Sequence, residues 1–108
     1  MTYQGINTMI GEIGLPYAYY QFDEGTGQQP PFICWMLDNN DDLYADNSNY
    51  QRICVLTIEL YTDTKDFTLE KLVENHIKDM TYTKSDTHLD SERMHLTIYT
   101  MEVVINGE

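Results

Sequence analysis

The chain has 108 residues, and its 18 Asp and Glu residues outnumber its 6 Lys and Arg residues, which gives a formal net charge of −12 at pH 7. This length fits a single domain over residues 1–108, and a hydrophobic content of 42% argues against a disordered chain. Because nucleic acids are bound largely through Lys and Arg, the composition also argues against DNA as a specific ligand. The sequence leaves three roles open for this excess of acidic residues: it increases solubility, it keeps DNA from adhering, or it attracts a basic partner.

The sequence carries no targeting signal that would direct the protein to a membrane. Met1–Gln4 has neither the basic nor the apolar region of a signal peptide, and no apolar run approaches the roughly 20 residues of a membrane span. We therefore expect synthesis in the cytosol and no membrane association. Cys34 and Cys54 lie within apolar runs, which predicts buried, reduced thiols rather than a disulfide framework.

The first third of the chain predicts one helix and two strands. Apolar residues at i, i+3, i+4 and i+7 predict a helix over residues 3–13 that ends at Gly14. These apolar residues are Ile6, Met9, Ile10 and Ile13. Strands are expected over residues 17–22 and 32–37, separated by a loop rich in Gly and Pro. The second strand is apolar on both faces, which predicts that it lies between two layers or meets another subunit.

The middle of the chain carries the most regular strand signal, over residues 53–61, after a predicted polar loop over residues 38–49. Alternation places four apolar residues on one face of this strand, namely Cys54, Leu56, Ile58 and Leu60. A period of two with β-branched and aromatic residues predicts the central strand of an antiparallel sheet. Asp66 is then expected to cap a helix over residues 67–79, because its carboxylate can accept from exposed amide groups.

The last third predicts a short strand over residues 81–84, a turn over 85–91 and a long alternating strand over 92–105. Hairpin-like connections between most strands predict an α+β fold, with a mostly antiparallel four- to five-stranded sheet and two helices packed on one face. The other face is expected to stay open and to carry Val55, Thr57, Tyr61 and Tyr99.

Motifs for catalysis or metal binding are weak. Asp38, Asn40 and Asp42 match the first ligand positions of an EF-hand loop, but Leu43 stands where Gly is required and Asn49 where Glu is required. The histidines lack metal-ligand spacing, neither cysteine belongs to a Cys-x-x-Cys pair, and no complete glycine-rich phosphate motif is present. We therefore predict no enzyme, no cofactor and no metal site. The nine tyrosines fill the core or form interfaces.

Several segments, in a characteristic order and spacing, carry a family resemblance over almost the whole chain. They are Leu15-Pro16-Tyr17-Ala18-Tyr19, Pro30-Pro31-Phe32, Tyr44-Ala45-Asp46-Asn47 with Tyr50, Ile58-Glu59-Leu60-Tyr61-Thr62-Asp63 with Lys65-Asp66, then Glu70, Val73 and Glu74, and finally Ser91-Glu92-Arg93-Met94. Together they resemble the small tail-completion proteins of long-tailed bacteriophages and prophages, which are the tail-terminator or head–tail joining proteins. Phe67 departs from the family pattern, in which Pro often opens the helix.

The resemblance implies a non-enzymatic structural protein of the virion. Six copies would form a ring at the head-proximal end of the tail tube, end tube polymerisation and join the tail to the head. The partners would be other copies of the chain, the tail tube protein and the head connector protein, while genome DNA passes without specific binding. The protein would occupy the host cytoplasm during assembly and the virion tail afterwards.

Six residues are the candidate interaction residues under this interpretation: Asp41, Asp42, Tyr44, Asp46, Tyr50 and Tyr61. Tyr44 and Tyr50 would anchor one of the two different surfaces that a head-to-tail ring requires. Two alternatives remain, namely another component of the head–tail junction and an acidic protein that neutralises a basic partner.

The acidic residues of the 38–50 segment lead to a test of the ring hypothesis. If Asp41, Asp42 and Asp46 face the lumen, replacing all three by Lys should slow DNA ejection, because cations bind the phosphate backbone. The measurement is the rate of DNA release from particles that carry the substituted protein. An unchanged rate would contradict the lumenal placement.

Overall fold

The computed structural model describes residues 1–22, 27–43 and 51–106, and for residues 39–43, 51–52 and 106 it describes the backbone alone. The elements, in chain order, are α1 (Tyr3–Glu12), β1 (Tyr17–Tyr19), β2 (Phe32–Leu43), β3 (Gln51–Thr62), α2 (Phe67–Ile77), β4 (Thr83–Leu89) and β5 (Met94–Asn106). The strands form one sheet in the order β1-β2-β3-β5-β4. β1 is parallel to β2, and the other pairs are antiparallel. The predicted α+β fold and the central position of β3 are thus confirmed.

Both helices bury an apolar stripe on the same face of the sheet. α1 contributes Ile6 and Ile10, and α2 contributes Val73 and Ile77, each at most 1% exposed. The predicted apolar face of β3 meets these stripes in one core cluster. Complete burial of each such aliphatic side chain contributes roughly 1.5–3 kcal/mol through the hydrophobic effect.

Local signals set the helix ends. The Oγ1 atom of Thr2 accepts from the amide of Gly5 at 3.0 Å, and Asp66 accepts from the amide of Leu69 at 3.0 Å, so the predicted Asp66 cap is confirmed. After α1, Gly14 adopts a left-handed conformation with φ of 95°, which glycine tolerates best. Neither α1 nor α2, the helices of the described ranges, has the length and apolar composition needed to cross a bilayer.

Two predicted loops are partly strand. β2 continues through the polar residues 38–43, which pair with β3 across a register irregularity between Asn39 and Asp41. Backbone pairing with β3 therefore outweighs the poor strand propensity of Asp and Asn. β4 likewise includes residues 85–89, which were predicted to be a turn, and β1 ends at Tyr19 rather than continuing to residue 22.

The predicted position of Tyr99 on the open face is wrong. Tyr99 pairs with Ile58 of β3, and directly opposed residues project from the same face of a sheet. Its side chain is therefore on the helix side, is 0% exposed and donates from its hydroxyl to Glu74 Oε2 at 2.8 Å. Because β5 has apolar residues on both faces, its alternation did not reveal which set faces the helices.

Candidate interaction site

The sheet face opposite the helices is built from cross-strand rows of β2, β3 and β5. Three of its rows are Phe32–Tyr61–Leu96, Cys34–Glu59–Ile98 and Met36–Thr57–Thr100. Val55, Thr57 and Tyr61 are only half-buried, in agreement with their predicted position on this face. No helix packs on it within the described ranges, and Tyr61 and Ile98 remain partly accessible there, although Phe32, Cys34 and Leu96 are buried.

One end of the open face forms a groove of 470 Å³ with an aromatic floor. The rings of Phe32 and Tyr61 stack with centroids 4.7 Å apart, and Phe22 meets Phe32 edge-on at 5.3 Å. Aromatic pairs of this geometry contribute about 0.5–1.5 kcal/mol beyond area burial. The remaining walls come from Tyr20, Gln21, Gly27, Gln28, Cys34, Leu89, Glu92 and Met94.

Carboxylates dominate the electrostatics of this groove. The Tyr61 hydroxyl donates to Glu59 Oε1 at 3.0 Å. Burial raises the pKa of Tyr61, and the charges of Glu59 and Glu92 raise it further. Burial and the Glu59 charge also raise the pKa of the Cys34 thiol to about 11, so this thiol is protonated at neutral pH. Both cysteines are buried free thiols, as predicted.

The two flanking strands leave parts of the sheet edges without a neighbouring strand in the described ranges. β4 pairs with β5 only as far as Thr100, so residues 101–106 of β5 have an edge that no described strand covers. A recess of 720 Å³ lies beside this β5 edge, with Met1, Met80, Met101 and Val104 among its lining residues. Backbone groups on such an edge can pair with another strand.

The opposite edge of the sheet, around β1, carries an exposed tyrosine surface, defined by Tyr3, Tyr17, Tyr19 and Tyr20. Their side chains are between 38% and 59% exposed. Tyr19 also meets the β2 edge directly, because its hydroxyl lies 3.3 Å from both the amide nitrogen and the carbonyl oxygen of Leu37. The rings of Tyr3 and Tyr19 pack against the buried Trp35, with centroid distances of 5.3 and 4.8 Å.

A charged network around the buried Glu70 ties α2 to β4 on the helix side of the sheet. Glu70, in the first turn of α2, is 2% exposed, and its Oε1 atom lies 2.8 Å from Lys84 Nζ and 3.1 Å from Lys65 Nζ. Lys84 is also 2.7 Å from Glu74 Oε2. Burial alone would raise the pKa of Glu70, but hydrogen bonds from both lysines outweigh it and hold the pKa below its ordinary value.

The network continues to the β5 strand through Asp86. This carboxylate contacts Lys65, and its Oδ2 atom lies 3.2 Å from His95 Nε2. Ligand atoms of Glu70, Asp86 and His95 lie within 4.8 Å of one another, a spacing that would suit a metal ion. Two lysine ammonium groups already neutralise these carboxylates, however, so the chemistry of the cluster is that of an ion-pair network.

The structure describes only part of the predicted interaction set. Tyr61 lies on the open face and lines the groove. Asp41 and Asp42 belong to the end of β2, where the backbone alone is described, and not to a loop. Tyr44, Asp46 and Tyr50 lie outside the described residues. Sequence analysis missed the groove, the tyrosine surface and the ion-pair network, whose residues come together only through strand pairing.

Comparisons with known proteins do not add a family assignment. The sequence matches no model of a known protein family and no curated protein.

The ion-pair network predicts an acid-sensitive contribution to stability. The pKa of Glu70 is lower in the folded state than in the unfolded state, so ionised Glu70 stabilises the fold above the unfolded-state pKa of about 4.3. This stabilisation is lost as the pH falls through the folded-state pKa of Glu70. We expect Glu70→Gln to lower the free energy of unfolding at pH 7 by about 2 kcal/mol, less than for a fully buried pair, because water screens the lysines.

Urea unfolding of the wild type and of Glu70→Gln between pH 7 and pH 3 measures this effect. The difference between the two proteins should shrink as the pH falls. Glu12→Gln, at an exposed position on α1, is the matched control and should unfold like the wild type. A difference that stays constant over the pH range would show that Glu70 does not act through its charge.

Proposed function

We propose that the protein is a structural subunit of phage or prophage origin that forms a ring at the head-proximal end of a tail tube, ends tube polymerisation and joins the tail to the head. The observation that carries the proposal is that opposite edges of the sheet present two different, incompletely covered surfaces. One is the β5 edge with its recess, and the other is the tyrosine surface. The segments that resemble the phage tail-completion proteins span almost the whole chain and suggest the same role.

The β5 edge supports the proposal through its backbone and its neighbours. Residues 101–106 pair with β3 on one side, and within the described ranges no strand lies on the other. Val104 is 39% exposed there and Met1 is 42% exposed, which places apolar surface next to available backbone groups. An exposed edge of this kind invites pairing with a second chain.

The tyrosine surface supports the proposal through its composition. Tyrosine is enriched at protein interfaces, since its ring buries a large area while its hydroxyl finds a polar partner. This surface and the β5 edge differ in structure and lie at opposite edges of the sheet. A contact between them would therefore be heterologous. Heterologous contacts generate rings when the rotation between subunits closes. The family resemblance suggests six copies.

The acidic composition fits a ring through which DNA passes. Cations that would hold the phosphate backbone are scarce, with 6 Lys and Arg in the whole chain. Two of them, Lys65 and Lys84, are already paired within the ion-pair network. Lumenal positions for Asp41, Asp42 and Asp46 remain part of this proposal.

Electron microscopy of lysate from a phage or induced prophage that lacks this gene tests the proposed function. We expect over-long tails without heads, because nothing would cap the growing tube. Tails of normal length that fail to join heads would assign the protein to another component of the junction. Intact, infectious particles would reject the tail assignment and favour the acidic protein that neutralises a basic partner.

Substitutions at the two surfaces test the mode of assembly. We expect Val104→Lys at the β5 edge to abolish complementation of the deletion, because a lysine on an edge opposes strand pairing. Tyr17→Lys at the tyrosine surface should also abolish it, because a charge replaces a ring that the interface would bury. Phe67→Lys, at a position that is 74% exposed on α2, adds the same charge away from both surfaces and should complement.

Mixing the two inactive variants distinguishes heterologous from isologous contacts. A heterologous contact leaves Val104→Lys with an intact tyrosine surface and Tyr17→Lys with an intact β5 edge. Sedimentation of the mixture should therefore show heterodimers that neither variant forms alone, and no larger ring. Full complementation by either variant would remove its surface from the proposed interface.

A further inference from the structure

We propose that the aromatic groove on the open face binds an arginine side chain presented by a different protein. The groove is the one bounded by Phe22, Phe32, Tyr61 and the turn between β4 and β5. This inference goes beyond the proposed ring. The groove lies on the sheet face and excludes the β5 edge, and Tyr20 is the one lining residue that it shares with the tyrosine surface.

The floor of the groove offers aromatic surface to a planar cation. Phe32 stacks on Tyr61 and meets Phe22 edge-on, and it is only 9% exposed, so the accessible aromatic surface comes from the partly exposed Tyr61 and Phe22. A guanidinium group is attracted to the face of such rings, and it stacks on them more readily than the compact ammonium of lysine. The volume of 470 Å³ lies within the range of small-ligand clefts and accommodates one side chain with adjacent backbone.

Charge complementarity identifies the occupant as cationic. Glu92 lines the groove, and Glu59 lies beside it, held by the hydroxyl of Tyr61 at 3.0 Å. Among the described lining residues none is basic, and the described part of the chain provides neither carboxylate with an ion pair. Glu59, which accepts from the Tyr61 hydroxyl, and the exposed Glu92 provide carboxylate oxygens beside the aromatic surface, and these match the charge and the planar donors of arginine.

The chain itself is a poor source of that arginine. It contains only Arg52 and Arg93, whereas its formal net charge of −12 favours a partner of opposite charge. A partner with a basic segment would instead be attracted over a distance by the same charge. We therefore assign the occupant to a different protein rather than to another subunit.

The test uses the blocked tripeptide acetyl-Gly-Arg-Gly-amide as the probe and the isotope-labelled full chain as the receptor. We expect saturable NMR shifts at groove residues, with a Kd on the order of 1–10 mM, as one cation–π contact with charged hydrogen bonds would give. The peptide with citrulline, which has nearly the same shape and no charge, should not saturate. The peptide with lysine should bind more weakly, because it cannot stack as a plane.

Matched variants locate the site. The double variant Glu59→Gln and Glu92→Gln should weaken binding of the arginine peptide by about tenfold, since charged hydrogen bonds become neutral ones. The double variant Glu12→Gln and Asp79→Asn removes the same charge at exposed positions outside the groove and should bind like the wild type. Unchanged Trp35 fluorescence, from the opposite face of the sheet, verifies that each variant is folded.

Several outcomes would overturn the inference. Shifts scattered over the acidic surface, or equal weakening by both double variants, would mean only general attraction of cations. Tighter binding of agmatine than of the peptide would make the groove a small-molecule site. Self-association that the peptide blocks and that Arg93→Gln or Arg52→Gln abolishes would identify a second copy as the occupant.

Discussion

Every other part of the structure depends on the pairing of β3 with β2 on one side and β5 on the other. This register sends Leu56, Ile58 and Leu60 to the helix side and Glu59 and Tyr61 to the open side. A shift by one residue would exchange the two faces and expose the core. The groove, the ion-pair network and the two edge surfaces therefore all inherit their positions from one alignment of three strands.

The sequence alone predicted an element correctly where its local pattern of apolar residues matched the burial of those residues in the fold. β3 alternates strictly because one of its faces is fully buried, and α2 combines an apolar stripe with the Asp66 cap. β4 was largely missed because six of its seven residues are exposed, so it lacks the apolar alternation of a buried strand. Tyr99 was assigned to the wrong face because both faces of β5 are apolar. The ion-pair network joins residues that are distant in sequence, such as Lys65 and Asp86.

The acidic composition has different consequences on the two faces. On the helix side, Glu70 pairs with both Lys65 and Lys84, Glu74 pairs with Lys84, and these carboxylates become part of the packing between α2 and β4. On the open side, Glu59 accepts from the Tyr61 hydroxyl and forms no ion pair with any described residue. Net charge therefore says little by itself, because the fold decides which carboxylates are neutralised internally and which can act on a partner.

The way in which β4 is attached has a consequence for how the molecule opens. β4 buries almost no apolar surface, so its backbone bonds to β5 and its ionic links to α2 hold it in place. The helix side of β3, by contrast, is sealed within the core. Amide protons of β4 should therefore exchange with solvent through local detachment, whereas those of β3 require disruption of the whole domain. Detachment of β4 would extend the uncovered edge of β5 along its full length, so local stability and the capacity to pair with another chain are properties of the same strand.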